Sequence, residues 1–281
     1  MLIKDNKTQP IFDYSECLFE RVFVETNVDT DKDGLPDLIA VYIRRPKETA
    51  NGLKVPVIYV ANPYMHLCND DYYNNMHDVN KNLSYDTNVV DTYDTNIKYA
   101  KKDSFRKASK EVDSNIVEEI PLDCITDWYS YFNCRGYATV FSGGLGTKYS
   151  QGYTLTGSKE ETLAFKAVID WLNGKANAFV DIDGTTQIKA NWCTGNVAMT
   201  GKSYLATMCT AVACTGVEGL KTIIPVAGIS SWYDYYRTNG LCVSPFGWQG
   251  DDIDILSKYC FSRQLEEDFN ESILEDYLKD V

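Results

Sequence analysis

The stretch GNVAMTGKSY, residues 195–204, combines features of two different enzyme folds. Its end, Gly201-Lys202-Ser203, is similar to the end of a phosphate-binding loop. Its beginning is a short apolar strand that leads into a sharp turn with a serine at the tip. The first interpretation predicts a nucleotide hydrolase, and the second predicts an acyl-transfer enzyme with Ser203 as its nucleophile.

The spacing of the glycines disfavours the phosphate-binding loop. Such a loop has four residues between its two glycines, because each backbone N–H must point toward a phosphate oxygen. Five residues separate Gly195 from Gly201, and they have the character of a strand. No apolar strand ending in an aspartate clearly supplies a magnesium site either. Nucleotide binding is therefore the weaker interpretation.

The turn around Ser203 fits a nucleophile elbow, in which a strand ends, the chain turns sharply and a helix begins after the serine. Gly201 lies two residues before Ser203, as the G-x-S pattern requires, although Leu205 replaces the usual second glycine. The helix that follows would direct its positive end toward a developing oxyanion. The alternative is that Ser203 is the N-cap of an ordinary core helix. The G-x-S pattern alone does not decide between the two.

Composition and charge restrict the class of protein. The 281 residues are 44% hydrophobic and 13% aromatic, which is typical of a globular chain. The net charge of −13 would repel a phosphate backbone, so we expect no nucleic-acid partner. The nine cysteines have no regular spacing and are interpreted as reduced thiols. The sequence shows no signal peptide and no apolar run of about 18 residues. We therefore expect a cytoplasmic protein with no membrane partner and no cofactor.

Apolar, β-branched runs alternate with helical patterns along the chain. Strands are predicted at 22–28, 38–43, 55–62, 137–142, 196–200 and 221–229, and helices at 125–136, 158–174, 203–214 and after 250. Ser158 and Glu161 are predicted to form a capping box at one helix start. Residues 66–118 are rich in Asn, Asp and Tyr and are predicted to form a long polar excursion near a functional face. This order predicts an α/β fold, a mostly parallel sheet with helices on both faces that opens with an antiparallel hairpin.

The segment from Asp29 to Asp37 has the pattern of a calcium-binding loop. Asp29, Asp31, Asp33 and Gly34 occupy the first, third, fifth and sixth positions of such a loop, but Ala40 stands where a bidentate glutamate is required. Strands flank the segment, whereas helices flank a true EF-hand loop. We interpret it as a hairpin turn and expect no metal, and a calcium-binding module is the alternative.

Several stretches resemble the bacterial Xaa-Pro dipeptidyl-peptidases, which are serine exopeptidases of the α/β-hydrolase fold related to cocaine esterase. The resemblance runs from about residue 9 to about residue 263, with residues 66–118 poorly matched. It is carried by QPIFDYSE, VDTDKDGLPDLI, RRPKET, KVPVIYVANPY, KAVIDWLNG, VAMTGKSYL and GVEGL…AGISSWYDYYR…GL. The block at residues 197–236 is far longer than a single motif.

The resemblance implies roles for individual residues. Ser203 would be the nucleophile that forms an acyl-enzyme, and the backbone N–H of Tyr204 would be one oxyanion donor. The phenol of Tyr64, in the turn Asn62-Pro63-Tyr64, would be the second donor. On the motif alone, Tyr64 is better explained as an aromatic residue that packs a loop at a strand end.

The implied substrates are peptides with a penultimate proline, from which the enzyme would release X-Pro dipeptides. Trp232 and Tyr235 would form aromatic walls for the proline ring, and ordinary core packing is the alternative. Asp251, in the acidic stretch GDDID, would bind the substrate ammonium group. An acidic, solvated helix start is the alternative for Asp251.

The catalytic set is incomplete in this sequence. An α/β-hydrolase places its acid and histidine after the serine, but both histidines, His66 and His77, precede Ser203. We therefore expect a fragment, with residues 1–249 as the N-terminal part of the catalytic domain and 250–281 as the start of a helical cap or insert. Such a fragment would be inactive alone, and the full-length form would be a homodimer. The alternatives are an esterase or acylase of the cocaine-esterase type, or a truncated remnant without catalysis.

Overall fold

The structure is a computed structural model, and it describes residues 2–65, 67–69, 96–117, 128–236 and 253–280. Its centre is a nine-stranded sheet with the order β11-β10-β5-β7-β4-β3-β8-β9-β6, and β1 and β2 form a separate hairpin. The strands are β1 Ile3–Lys4, β2 Lys7–Thr8, β3 Leu18–Glu25, β4 Leu38–Arg45, β5 Val55–Ala61, β6 Lys110–Val112, β7 Ala138–Ser142, β8 Ala178–Phe179, β9 Thr186–Ile188, β10 Cys193–Lys202 and β11 Leu220–Val226.

Both faces of the sheet are covered, as its central strands show. Every residue of β4 is buried. Ile39, Val41 and Ile43 belong to one apolar cluster, and the alternating residues Leu38, Ala40 and Tyr42 belong to another. Because successive side chains of a strand point to opposite faces, this division places a core on each side. A strand buried on both faces reads as a continuous apolar run, which is why β4 was visible in the sequence.

The sheet is mixed, with a parallel side and an antiparallel side. Strands β7, β5, β10 and β11 are parallel neighbours. Strands β7, β4, β3, β8 and β9 pair antiparallel, and β6 is parallel to β9. The predicted opening hairpin is therefore confirmed as β3–β4. The carboxyl ends of the four parallel strands meet at one edge of the sheet, where ligand sites of open α/β sheets are found.

The helices are α1 Trp128–Asn133, α2 Lys159–Leu172, α3 Tyr204–Cys214, α4 Trp232–Tyr236, α5 Ile253–Cys260 and α6 Glu271–Asp280. Helices α2 and α3 cover the first cluster, and Tyr129 of α1 lies in the second. No helix in these ranges is long and apolar enough to cross a membrane. The confirmed α/β class thus has helices on both faces.

The capping box predicted at the start of α2 is only half present. The Ser158 hydroxyl accepts a hydrogen bond from the Glu161 N–H at 3.0 Å, as an N-cap should. The Glu161 carboxylate does not return to the Ser158 N–H, which donates to the Leu155 carbonyl. It accepts instead from the Gly157 N–H at 2.9 Å and from the Tyr204 hydroxyl. The prediction was wrong for the Glu161 side chain because a tertiary partner outcompetes the local one.

The polar excursion predicted at 66–118 contains structure that the sequence did not reveal. Residues 110–112 form β6 at the edge of the sheet opposite β11. The Arg106 N–H donates to Glu25 at 2.9 Å, and the Lys98 N–H donates to Glu160 at 3.1 Å. Residues 96–117 are therefore anchored to β3, to α2 and, through β6, to β9, whereas the Asn69 N–H donates to the Tyr259 carbonyl of α5 at 2.8 Å. Residues 66, 70–95 and 118 lie outside the described ranges.

A buried ion pair ties the first two strands of the sheet together. The Arg45 guanidinium donates to both carboxylate oxygens of Glu20, at 2.9 and 3.1 Å. The two side chains are 2% and 1% exposed. The Asn115 N–H also donates to Glu20, at 3.1 Å. The pair therefore joins β3, β4 and the returning end of the excursion in a region without access to water.

We expect Glu20→Gln to lower the free energy of unfolding by about 3–5 kcal/mol, because it leaves the Arg45 cation buried without its counter-ion. Urea denaturation followed by circular dichroism measures this change. Glu16→Gln is the matched control, since it breaks the exposed ion pair with Lys47 and should change stability little. Equal effects of the two substitutions would contradict this account of the pair.

The buried Glu161 carboxyl should make stability depend on pH. Burial raises the pKa of Glu161 from 4.5 to about 7, and the Tyr204 and Gly157 hydrogen bonds oppose that rise. Between these two pKa values the folded chain holds a proton that the unfolded chain has released. This stabilisation is complete below pH 4.5 and is lost as the pH rises through 7. Relative to Glu161→Gln, the wild-type free energy of unfolding should fall by up to about 3 kcal/mol across that window. Parallel stability–pH curves for the two proteins would refute the assignment.

Candidate active site

Ser203 lies at the sharp turn between β10 and α3, with an unusual backbone conformation. Its φ is 59° and its ψ is −124°, a combination that side-chain-bearing residues rarely adopt. The Ser203 hydroxyl makes no capping hydrogen bond to α3, and the residue is half-buried. These features contradict the alternative of a conventional N-cap serine. They place the hydroxyl on a strained bend, as a nucleophile elbow requires.

Close packing between strand and helix explains the glycine before Ser203. A Cβ atom on Gly201 would lie 2.5 Å from the Leu205 Cβ and 2.8 Å from the Leu205 carbonyl carbon. No side chain fits there unless the helix moves. On the other side, a Cβ on Gly228 would lie 3.3 Å from backbone and side-chain atoms of Ala206. Leu205 is thus compatible with the turn, and the required glycine is Gly201.

Neighbouring backbone groups hold the bend in place. The Ser203 N–H donates to the Val226 carbonyl of β11 at 2.9 Å. The Ser203 carbonyl accepts from the Thr207 N–H at 3.0 Å, and the Thr207 hydroxyl accepts from the Ile229 N–H at 2.8 Å. A strained φ persists only where the surroundings determine it several times over, and these bonds from two directions meet that condition.

Tyr64 lies at the same edge of the sheet as Ser203. It follows β5, which is parallel to β10 with Tyr59 opposite Met199. The Tyr64 N–H donates to the Asn62 side chain at 2.9 Å, which closes the turn through Pro63. The Tyr64 ring meets the Tyr204 ring edge to face, with centroids 5.7 Å apart. The turn after β5 therefore places the Tyr64 ring against Tyr204, the residue that follows the serine.

Tyr204 is the buried centre of an aromatic group around the turn. Its side chain is 1% exposed, and its hydroxyl lies 2.7 and 2.8 Å from the two carboxylate oxygens of Glu161. Burial, reinforced by the Glu161 charge, raises the pKa of Tyr204 well above its usual value. As the first residue of α3, Tyr204 has a backbone N–H without an intrahelical acceptor. The link from Tyr204 to Glu161 is not visible in the sequence, because the S-x-x-E pattern already explains that glutamate as a cap.

Two aromatic residues that the sequence predicts for substrate binding lie at different depths. Trp232 is half-buried, and its ring meets that of Tyr204 at 5.0 Å and stacks on that of Tyr236 at 6.3 Å. A Cβ atom at position 157 would overlap the Trp232 indole, so the glycine at this position leaves the room that the ring needs. Tyr235 is 44% exposed, and the centroid of its ring lies 5.0 Å from that of the Tyr236 ring. Asp251, the third predicted residue, lies outside the described residues.

The parts of the chain that the structure describes contain no histidine. His66 and His77 both fall outside those ranges. Burial, with smaller contributions from Cys260 and Cys68, raises the pKa of Tyr64 above the usual range. The phenol therefore keeps its proton near neutral pH and cannot serve as the base. The described site thus contains a positioned hydroxyl and candidate oxyanion donors.

The acidic stretch after β3 is the loop of the β3–β4 hairpin. Carboxylate oxygens of Asp29, Asp31 and Asp37 lie within 4.8 Å of one another. Asp37 is buried and accepts from the Thr30 N–H and hydroxyl at 2.8 and 2.7 Å. Arg263 donates to Asp31 at 3.0 Å and brings a positive charge to the group. The segment thus connects two antiparallel strands, as the interpretation of a hairpin turn requires.

The sequence matches the family model described as X-Pro dipeptidyl-peptidase (S15 family) over residues 33–276. Relatives share close similarity over nearly the whole chain. The Xaa-Pro dipeptidyl-peptidase of Lacticaseibacillus casei is 45% identical over 94% of this chain and 33% of its own length. The corresponding protein of Ligilactobacillus salivarius is 44% identical over 95% of this chain and 34% of its own.

Among solved structures, a CocE/NonD family hydrolase from Staphylococcus aureus is 18% identical, with a TM-score of 0.41, over 82% of this chain and 34% of that chain. The present chain thus spans about a third of the length of the curated relatives it matches. The family match agrees with the resemblance seen in the sequence. The chain belongs to the X-Pro dipeptidyl-peptidase family S15.

Proposed function

We propose that Ser203 is the nucleophile of a serine exopeptidase that releases X-Pro dipeptides from peptide N-termini. The observation that carries this proposal is the backbone of Ser203, at φ 59° and ψ −124° between β10 and α3. A strained serine at the carboxyl edge of a parallel sheet is the arrangement that exposes a hydroxyl for attack. The names of the relatives supply the substrate class, peptides with a penultimate proline.

In the proposed reaction, the Ser203 oxygen attacks the carbonyl carbon of the proline residue. A base takes the hydroxyl proton, and the carbonyl oxygen becomes an oxyanion. The C–N bond then breaks, the departing amine takes the proton, and the dipeptide remains on Ser203 as an ester. Water attacks this ester and releases the X-Pro dipeptide, which restores the serine.

The oxyanion would be bound by the backbone N–H of Tyr204 and the hydroxyl of Tyr64. Support comes from the position of Tyr204 at the first residue of α3 and from the 5.7 Å contact between the two rings. The positive end of α3 adds to the stabilisation. Donors fixed before the reaction stabilise developing charge most effectively, since no reorganisation is needed in the transition state.

The proline ring would lie against Trp232 and Tyr235, and Asp251 would bind the substrate ammonium group. Trp232 is supported by its ring contact with Tyr204, next to the nucleophile. Tyr235 is supported by its exposed ring on the same short helix. Flat aromatic faces suit a rigid, apolar ring.

The base and its acid partner would come from sequence beyond the matched third of the relatives. This chain alone is accordingly proposed to be inactive, and the longer form would be a homodimer. Loss of the base typically costs about 10⁶ in turnover. Esterase or acylase activity and a remnant without catalysis are the other candidates, and substrate comparison in the longer form separates them.

We expect Ser203→Ala to abolish turnover in a chimera in which this chain replaces the matching third of the Lacticaseibacillus casei relative. Hydrolysis of Ala-Pro-p-nitroanilide should fall by about 10⁴–10⁶-fold, and labelling by a fluorophosphonate probe should disappear. Ser230→Ala, in the loop after β11, is the control. Retained turnover in Ser203→Ala would refute the nucleophile, and preference for p-nitrophenyl esters over the peptide substrate would favour the esterase.

The Tyr64 hydroxyl can be tested separately in the same chimera. Tyr64→Phe keeps the ring contact with Tyr204 but removes the proposed donor, so kcat should fall by about 10²–10³-fold with little change in KM. Tyr137→Phe is the control, because Tyr137 is also half-buried but precedes β7 at the opposite edge of the sheet. Equal kcat values for the two variants would remove Tyr64 from the oxyanion site.

A further inference from the structure

Glu161 is a buried carboxylate that none of the steps proposed above uses. It is 2% exposed in the first turn of α2, on a different element from the serine. Its oxygens lie 2.7 and 2.8 Å from the Tyr204 hydroxyl, and one of them accepts from the Gly157 N–H at 2.9 Å. None of the ion pairs within the described ranges includes Glu161.

A carboxyl group in this position is costly for the fold. Burial without a counter-ion opposes its charged form. Well-packed apolar residues often replace buried charged groups without loss of stability. The polar partners of Glu161 are therefore informative, and its only side-chain partner in the hydrogen bonds above is Tyr204.

Tyr204 links Glu161 to each proposed part of the site. Its backbone directly follows Ser203, and its ring meets Tyr64 at 5.7 Å and Trp232 at 5.0 Å. A hydrogen bond that fixes the Tyr204 hydroxyl thus limits movement of the Tyr204 ring, which the rings of Tyr64 and Trp232 both contact. It also limits rotation of the first turn of α3, which carries the Tyr204 N–H.

The loop that presents Gly157 is itself fixed. The Thr156 N–H donates to the Ser257 hydroxyl of α5 at 3.1 Å, and that hydroxyl donates to the Thr156 side chain at 2.8 Å. Trp232 packs on Gly157 from the other side. Glu161 is therefore held between the start of α2 and a loop that is hydrogen-bonded to α5. Its hydrogen bonds with the Tyr204 hydroxyl connect Tyr204 to both elements.

We propose that Glu161 is a positioning residue, which acts through the Tyr204 hydroxyl to hold the Tyr204 N–H and the rings of Tyr64 and Trp232 in place around Ser203. This inference rests on the proposed function of Ser203 as a nucleophile. Misplacement of a catalytic group by about 1 Å can cost 10²-fold in rate. Loss of the anchor should accordingly reduce kcat and leave KM nearly unchanged.

The experiment compares Glu161→Ala with Glu160→Ala in the chimera with the Lacticaseibacillus casei relative. Glu160 is also buried in the first turn of α2 but accepts from the Lys98 N–H instead. Glu161→Ala should lower kcat by about 10–100-fold, with KM within about threefold, while Glu160→Ala leaves kcat within about threefold. Glu161→Gln keeps the shape and one acceptor oxygen, so it should recover much of the loss; it also serves if Glu161→Ala does not fold.

A double-mutant cycle tests whether Glu161 acts through the Tyr204 hydroxyl. Tyr204→Phe combined with Glu161→Ala should be no slower than Glu161→Ala alone, since Glu161→Ala has already removed the hydrogen bonds of the Tyr204 hydroxyl to Glu161. The inference is overturned if the double variant lowers kcat by the product of the two single effects, or if Glu161→Ala and Glu160→Ala have equal kcat values. Ser203 remains the nucleophile in either case.

Hydrogen exchange gives a readout that does not need turnover. In this chain, Glu161→Ala should raise amide exchange in the segment 203–209 by about tenfold or more relative to Glu160→Ala. If the wild-type chimera shows no turnover, the proposed function fails, and this comparison alone decides whether Glu161 holds the turn. Equal exchange in the two variants would refute the anchoring.

Discussion

The bend at Ser203 is the constraint on which the rest of the site depends. A φ of 59° with a ψ of −124° is unfavourable for a residue with a side chain, and such strain costs about 1–3 kcal/mol. It is maintained because β11 and α3 both bond the backbone of Ser203 and because Gly201 lets Leu205 approach closely. The sheet and the helix thus hold the serine in place, and nearby side chains need only be placed relative to it.

The central sheet could be predicted from the sequence because its strands are buried on both faces. Strands β4, β5 and β7 read as continuous apolar runs, and a run of that kind needs no knowledge of its partners. Strands β6, β8 and β9 could not be predicted in this way. Each is two or three residues long, and β6 becomes a strand only through its pairing with β9. Short edge strands are defined by tertiary contacts that a local pattern does not contain.

The site was predictable to the extent that it follows local chain geometry. Ser203 and Tyr204 follow from the strand–turn–helix pattern, and Tyr64 lies at the same edge because β5 and β10 are parallel neighbours. The contact between Glu161 and Tyr204 could not be predicted, although the sequence shows the S-x-x-E pattern that contains Glu161. S-x-x-E describes a local bond, and the actual partner is 43 residues further along the chain. A cap motif therefore identifies where a helix begins but leaves the direction of its glutamate open.

Strand β11, which lies next to the serine, is an edge strand with exposed apolar side chains. In β11, Ile224 and Val226 are 52% and 51% exposed, whereas β4 is wholly buried. An edge strand with exposed apolar side chains favours burial by a further strand or chain. Since Val226 also accepts the hydrogen bond from the Ser203 N–H, a chain that packed on β11 would also restrict the bend. Contacts on β11 and the rigidity of the Ser203 bend are therefore coupled through one strand.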